Sequence, residues 1–90
     1  MEYVDISDSF GTAKGKPIEI KESAKHFVNA PEWANYYTRD CGGDVIFFEN
    51  KPSIEWQHWY CNDGRKTDRM KPKPIYDTAW RKSIRKRPAG

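Results

Sequence analysis

The sequence predicts a small single α+β domain: a central antiparallel β-meander of three to four strands, a short N-terminal strand pair and a C-terminal basic helix. Three observations lead there. Residues 29–65 carry three of the four Trp, three of the five Tyr and two of the four Phe, in runs with strand alternation. Gly, Pro, Asn and Asp divide those runs at short intervals. Charge is split: residues 1–70 hold nine Lys/Arg against twelve Asp/Glu, whereas residues 71–90 hold seven Lys/Arg and only Asp77.

Each element has its own signal. Tyr3 and Asp5 alternate with Val4 and Ile6, a short strand. Gly11, Gly15 and Pro17 mark a loop or arm, after which Ile18 and Ile20 share one face of a second short strand. Residues 22–30 allow one helical turn, which Pro31 stops because its ring excludes the preceding helical geometry. The run 33–40 has strand composition, and Gly42 and Gly43 suit a tight hairpin turn. Next, 44–50 alternates Val45 and Phe47 against Ile46 and Phe48, and 53–61 alternates Ile54, Trp56, His58 and Tyr60 against Glu55, Gln57, Trp59 and Cys61. A fourth strand is expected at 65–70. Pro72 and Pro74 favour an extended linker. Beyond it, Asp77 or Thr78 can cap a helix over 79–87, with Trp80 and Ile84 four apart on one face. The chain thus divides into a β-rich part, 1–70, with a partly flexible N-terminal arm, and a linker with basic amphipathic helix, 71–90.

Composition narrows the function classes. Ninety residues support one modest core. Hydrophobic residues are 37% and charged residues 32%, but the rings argue against disorder, since each buries roughly 150–250 Å². No apolar run approaches the roughly 20 residues that span a bilayer, so no membrane partner is expected. The acidic N-terminus lacks a hydrophobic signal region, which predicts no secretion and leaves Cys41 and Cys61 as free thiols in a reducing compartment.

Pro31, Glu32, Trp33 and Ala34, then Asp40 and Gly43, then Phe47, Phe48 and Glu49, then Pro52, then Gly64 and Arg65 form a pattern over about forty residues. It resembles a segment of small accessory proteins of tailed bacteriophages. The resemblance implies a phage-encoded accessory protein in a bacterial host cytoplasm, and it carries over no catalytic or binding residue. The matching positions are turn and core residues.

Four chemistries can be weighed. Cys41, Cys61, His26 and His58 are possible zinc ligands, but structural zinc sites bring ligands in close pairs. The nearest pair, His58 and Cys61, is three apart on a predicted strand and therefore points to opposite faces. Neither metal nor cofactor is expected. Asp44, Glu55 and Gln57 superficially resemble a metal-nuclease pattern, yet its lysine is missing, and solvated strand-edge carboxylates are commonplace. Cys41 sits between Asp40 and, beyond the two glycines, Asp44, whose charges oppose a thiolate.

The other two chemistries involve binding. Lys71, Lys73, Arg81, Lys82, Arg85, Lys86 and Arg87 supply phosphate-contacting charge, with Tyr76 or Trp80 available for stacking, against the alternative of a docked helix whose charges are merely solvated. A basic helix also suits an acidic protein surface. On the meander, Val45, Phe47, Trp56 and Tyr60, with Trp33 or Tyr36, form the core side, so Phe48 and Trp59 face outward unless Trp80 and Ile84 cover them. Left open, Phe48, Trp59 and Trp80 make a protein-binding patch. The first expectation is a non-enzymatic accessory protein that binds a host protein and modulates or inhibits it, in transcription, restriction, nuclease or immunity machinery. The alternative is nucleic-acid binding through residues 71–87.

Overall fold

The computed structural model describes residues 2–4, 17–55, 58–68 and 78–89. Strand β1 (Tyr3–Val4) pairs antiparallel with β2 (Ile18–Glu19), the expected N-terminal strand pair. Strand β3 (Lys21–Glu22) follows, and a 3-10 turn at Lys25–Phe27 supplies the single turn expected before Pro31. Strands β4 (Tyr36–Arg39) and β5 (Val45–Phe48) form the first hairpin of the aromatic stretch. Its turn closes with the Gly43 N–H donating to Asp40 O at 2.9 Å and the Asp40 N–H to Asp44 O at 2.8 Å. Gly43 takes φ +88°, a value open to glycine without a Cβ clash.

The meander stops there. Residues 53–61 form a hairpin of their own, β6 (Ser53–Glu55) against β7 (His58–Tyr60), instead of one strand paired to β5. The place beside β5 goes to the segment after Gly64. Lys66 bridges Phe48, the Glu49 N–H donates to Arg65 O at 2.8 Å, and the Thr67 N–H donates to Phe47 O at 3.0 Å. In place of the fourth strand expected at 65–70 there is a single antiparallel bridge at Lys66, and residues 69–70 lie outside the described residues.

The larger correction concerns the tail. No C-terminal helix forms among the described residues. Thr78–Lys82 is a 3-10 turn, and Arg85–Lys86 is strand β8. β8 lies inside the sheet, whose order is β3-β8-β4-β5, parallel to β3 and antiparallel to β4. Ser83 explains the switch. Its hydroxyl accepts the Arg39 N–H at 2.9 Å and donates to Trp80 O at 2.7 Å, taking up the carbonyl a longer helix would use. From there Ile84 and Lys86 face one side and Arg85 and Arg87 the other, a period of two. A boundary at residue 70 does not set the tail apart, because β8 completes the sheet that holds β4 and β5.

Both faces of the sheet are covered. On one, Tyr36, Ile46, Phe48 and Ile84 pack with Val4, Ile20, Ile54, Trp59 and Trp80. On the other, Phe47 packs with Phe27 and Ala34, flanked by Ala30, Trp33, Tyr37 and Val45. The expected inside and outside are thus not distinct: Phe48 and Trp59 are 1% and 2% exposed, Phe47 is buried behind them, and Tyr60, expected inside, is 39% exposed. Trp80 and Ile84 do share the core, through a tight turn followed by a strand. Trp56 and Gln57 lie outside the described residues.

A polar latch closes the main core at its edge. The Tyr36 hydroxyl donates to Glu2 Oε1 at 3.0 Å, and Lys86 Nζ lies 2.9 Å from Glu2 Oε2. The hydrogen bond from Lys86 holds the Glu2 carboxyl below its usual range. Burial, then the bond and charge of Glu2, push the Tyr36 phenol up to about 12.

Two outcomes follow from this packing. Ile84→Ala deletes the fully buried side chain just before β8 and lowers the unfolding free energy by about 2–5 kcal/mol in urea titrations. The Tyr36 phenol ionises more readily unfolded than folded, so its contribution is complete below pH 10 and is lost as pH rises through about 12. Between about pH 9 and about pH 11, wild type loses more stability than Tyr36→Phe, and equal losses would refute the assignment.

Candidate binding face

The side of the sheet opposite the main core is built from rings and cations. Register places Phe47 beside Tyr37 and Tyr37 beside Arg85, with Lys21 beside Arg85 across the next strand. The 3-10 turn lays His26 on Tyr37, ring centroids 4.6 Å apart and tilted by 54°. Ser23 Oγ and His26 Nδ1 are hydrogen-bonded at 2.5 Å, which fixes the imidazole's orientation. Tyr37 is held edge-on by Phe47 at 5.8 Å. Burial, then the positive charges of Arg85 and Lys25, lower the His26 pKa below its ordinary value, so the ring is neutral at pH 7.

The expected tail cations divide into two groups. Arg87 is structural: its guanidinium donates to Glu32 O at 2.8 Å and stands 5.1 Å above the Phe27 ring, clamping the 31–34 turn to the sheet. Lys86 is committed to Glu2. Arg85 donates from one terminal nitrogen to Lys82 O and Ile84 O, both at 2.8 Å, and stays half-buried beside His26. Lys82 is exposed, and Arg81 lies 5.4 Å from the Trp80 ring. Lys71 and Lys73 lie outside the described residues. The face gains Lys25, a cation that reading the tail alone did not include. Its signal was the K-H-F run in the predicted turn, which carries a charge and two rings in consecutive positions.

The expected protein-binding patch does not form at the surface. Phe48, Trp59 and Trp80 are all buried in the main core, 1%, 2% and 5% exposed. Their covering was the open question, and the Trp80–Ile84 segment covers them.

The Pro-Glu-Trp-Ala…Gly-Arg pattern resolves into a scaffold beside this face of rings and cations. Glu49 accepts from Arg65 twice, from the backbone N–H at Oε1 (2.9 Å) and from the guanidinium at Oε2 (2.8 Å). These bonds hold the Glu49 carboxyl below the usual carboxylate range. The same guanidinium sits 5.2 Å over Trp33. Ala34, fully buried, leaves room for Phe27 and Phe47 to meet.

The metal and nucleophile candidates are dispersed. His26 faces Tyr37, whereas Cys41 and Cys61 pack against the main core. His58 lines a separate cleft of about 250 Å³ with Tyr60, Lys66 and Asp68. Among the described residues no three His, Cys, Asp or Glu side chains converge to hold a metal ion. Asp44 lies in the β4–β5 turn and Glu55 at the end of β6, while Gln57 is outside the described residues. The Cys61 thiol donates to Asp63 O at 3.1 Å, and burial is the largest influence raising its pKa, the reverse of an activated nucleophile. No described helix is long and apolar enough to cross a membrane.

Comparison with protein-family models, with characterised proteins and with solved structures finds no match. The class that the fold defines is a small, sheet-rich domain with two 3-10 turns among its described residues.

Gly64 in this scaffold has no room for a side chain. Its φ is +78°, and a Cβ would stand 2.5 Å from Asn50 Nδ2. Gly64→Ala therefore lowers stability by more than about 1 kcal/mol, read as a lower urea midpoint at unchanged slope.

Proposed function

We propose that this chain is a non-enzymatic nucleic-acid-binding domain that uses the side of the sheet bearing β8. One observation carries the reading: β8 delivers Arg85 beside a contacting, tilted pair of rings, His26 and Tyr37, with Lys25 on the same turn as His26. Cations interleaved with half-buried rings are what polyanion binding with base contact requires. The competing reading, a host-protein modulator, placed its contacts on Phe48, Trp59 and Trp80, and these side chains belong to the core. In the setting that the bacteriophage resemblance implies, the ligand is DNA or RNA in a bacterial cytoplasm.

Few phosphates are contacted. Arg87, Arg65 and Lys86 hold the fold together, which leaves the exposed Lys25, Lys82 and Lys21, beside the backbone-anchored Arg85, as the leading phosphate ligands. Affinity is accordingly modest and strongly dependent on salt.

Point substitutions test this better than truncation, since removing the tail removes β8. Fluorescence anisotropy with labelled oligonucleotides should show binding at about 50 mM salt, with log K falling against log salt with a slope of about −2 to −3. Lys25→Ala combined with Lys82→Ala should flatten the slope by about 1 or more while leaving the melting temperature unchanged. Absence of binding to DNA and RNA at that salt sinks the reading. Recovery of a stoichiometric protein from bacterial lysate would then return the protein-partner alternative to first place.

A further inference from the structure

We propose that the ligand is single-stranded and that the His26–Tyr37 pair is where one of its bases stacks. This deepens the nucleic-acid reading and rests on it. The geometry points to this pair because, among the described residues, the other rings near cations are already occupied. Trp33 carries the Arg65 guanidinium at 5.2 Å, Phe27 carries Arg87 at 5.1 Å, and the ammonium of Lys66 lies 6.0 Å from the Tyr60 ring. His26 and Tyr37 remain half-buried, neither hidden in the core nor free to rotate.

The pair is also organised before any ligand arrives. Ser23 fixes the imidazole, Phe47 fixes the phenol edge-on, and the 3-10 turn fixes their separation at 4.6 Å. A platform that is already ordered loses little entropy when a base lands on it. At neutral pH the imidazole is uncharged, as burial and the neighbouring Arg85 and Lys25 dictate. It therefore offers a π-face, while Arg85 and Lys25 take the phosphates on either side of the stacked base. A duplex keeps its base faces covered by their neighbours in the stack, whereas a single strand presents them.

The decisive comparison needs no variant. Wild-type protein is titrated at about 50 mM salt with three labelled ligands of about 12 units: oligothymidine, its abasic counterpart of identical charge, and a duplex. Oligothymidine should bind at least about fivefold more tightly than the abasic chain, and more tightly than the duplex. His26→Ala and Tyr37→Ala should each bring oligothymidine down toward the abasic value, and His26→Phe, which keeps a ring, should restore the difference. Equal binding of oligothymidine and abasic chain overturns the stacking proposal and leaves the polyanion reading standing. Preference for the duplex overturns single-strand selection. Failure of all three to bind overturns both the stacking proposal and the function it rests on.

Discussion

The fold depends on how Trp59 is pinned. Its backbone N–H donates to Asp40 Oδ1 at 3.1 Å, and its indole N–H donates to both Arg39 O and Trp80 O at 3.2 Å. These bonds tie the β6–β7 hairpin, a two-stranded sheet of its own, to the end of β4 and the turn leading into β8. Because Trp59 is 2% exposed, its polar hydrogen must find an acceptor inside the protein, and the two carbonyls that accept it fix where the hairpin sits. Asp40, 4% exposed, extends the same constraint to the β4–β5 turn. The main core then fills the space between hairpin and sheet.

That arrangement makes use of the abundant rings. A sheet with four paired strands, two of them only two residues long, offers little apolar surface of its own. Phe48, Trp59 and Trp80 supply bulk on one side, and Phe27 and Phe47 supply it on the other. What remains at the surface is the smaller set of half-buried rings with cations over or beside them. The aromatic excess is first a solution to building two thin cores in a short chain, and the face of rings and cations is made from the remainder.

Much of this was legible in the sequence, and the failures have identifiable causes. Alternation found β4 and β5, and the glycines found their turn, because a period of two and a positive φ are local properties. The 53–61 run satisfies strand alternation throughout, and nothing in that alternation says that it folds back on itself between Glu55 and His58. Trp80 and Ile84 are four apart, which fits a helix; a 3-10 turn followed by a strand buries both equally well, and the deciding contact, Ser83 with Arg39, is 44 residues distant. The candidate site was legible as chemistry but not as place. Arg85 and Arg87 were visible as charges, whereas their alternation with Ile84 and Lys86 across a sheet, and the arrival of His26 beside them, are products of long-range pairing.

The position of β8 also sets an order of events. Lys21 meets Arg85, a separation of 85 − 21 = 64 residues, and no β3–β4 contact can substitute for the strand between them. During synthesis the β4–β5 hairpin can close as soon as it emerges, whereas β3, whose ladder among the described strands is with β8, pairs only after residues 85–86 follow. Until then one edge of β4 stands open and the main core lacks Trp80 and Ile84. The sheet and the main core are therefore completed together, when β8 takes its place between β3 and β4.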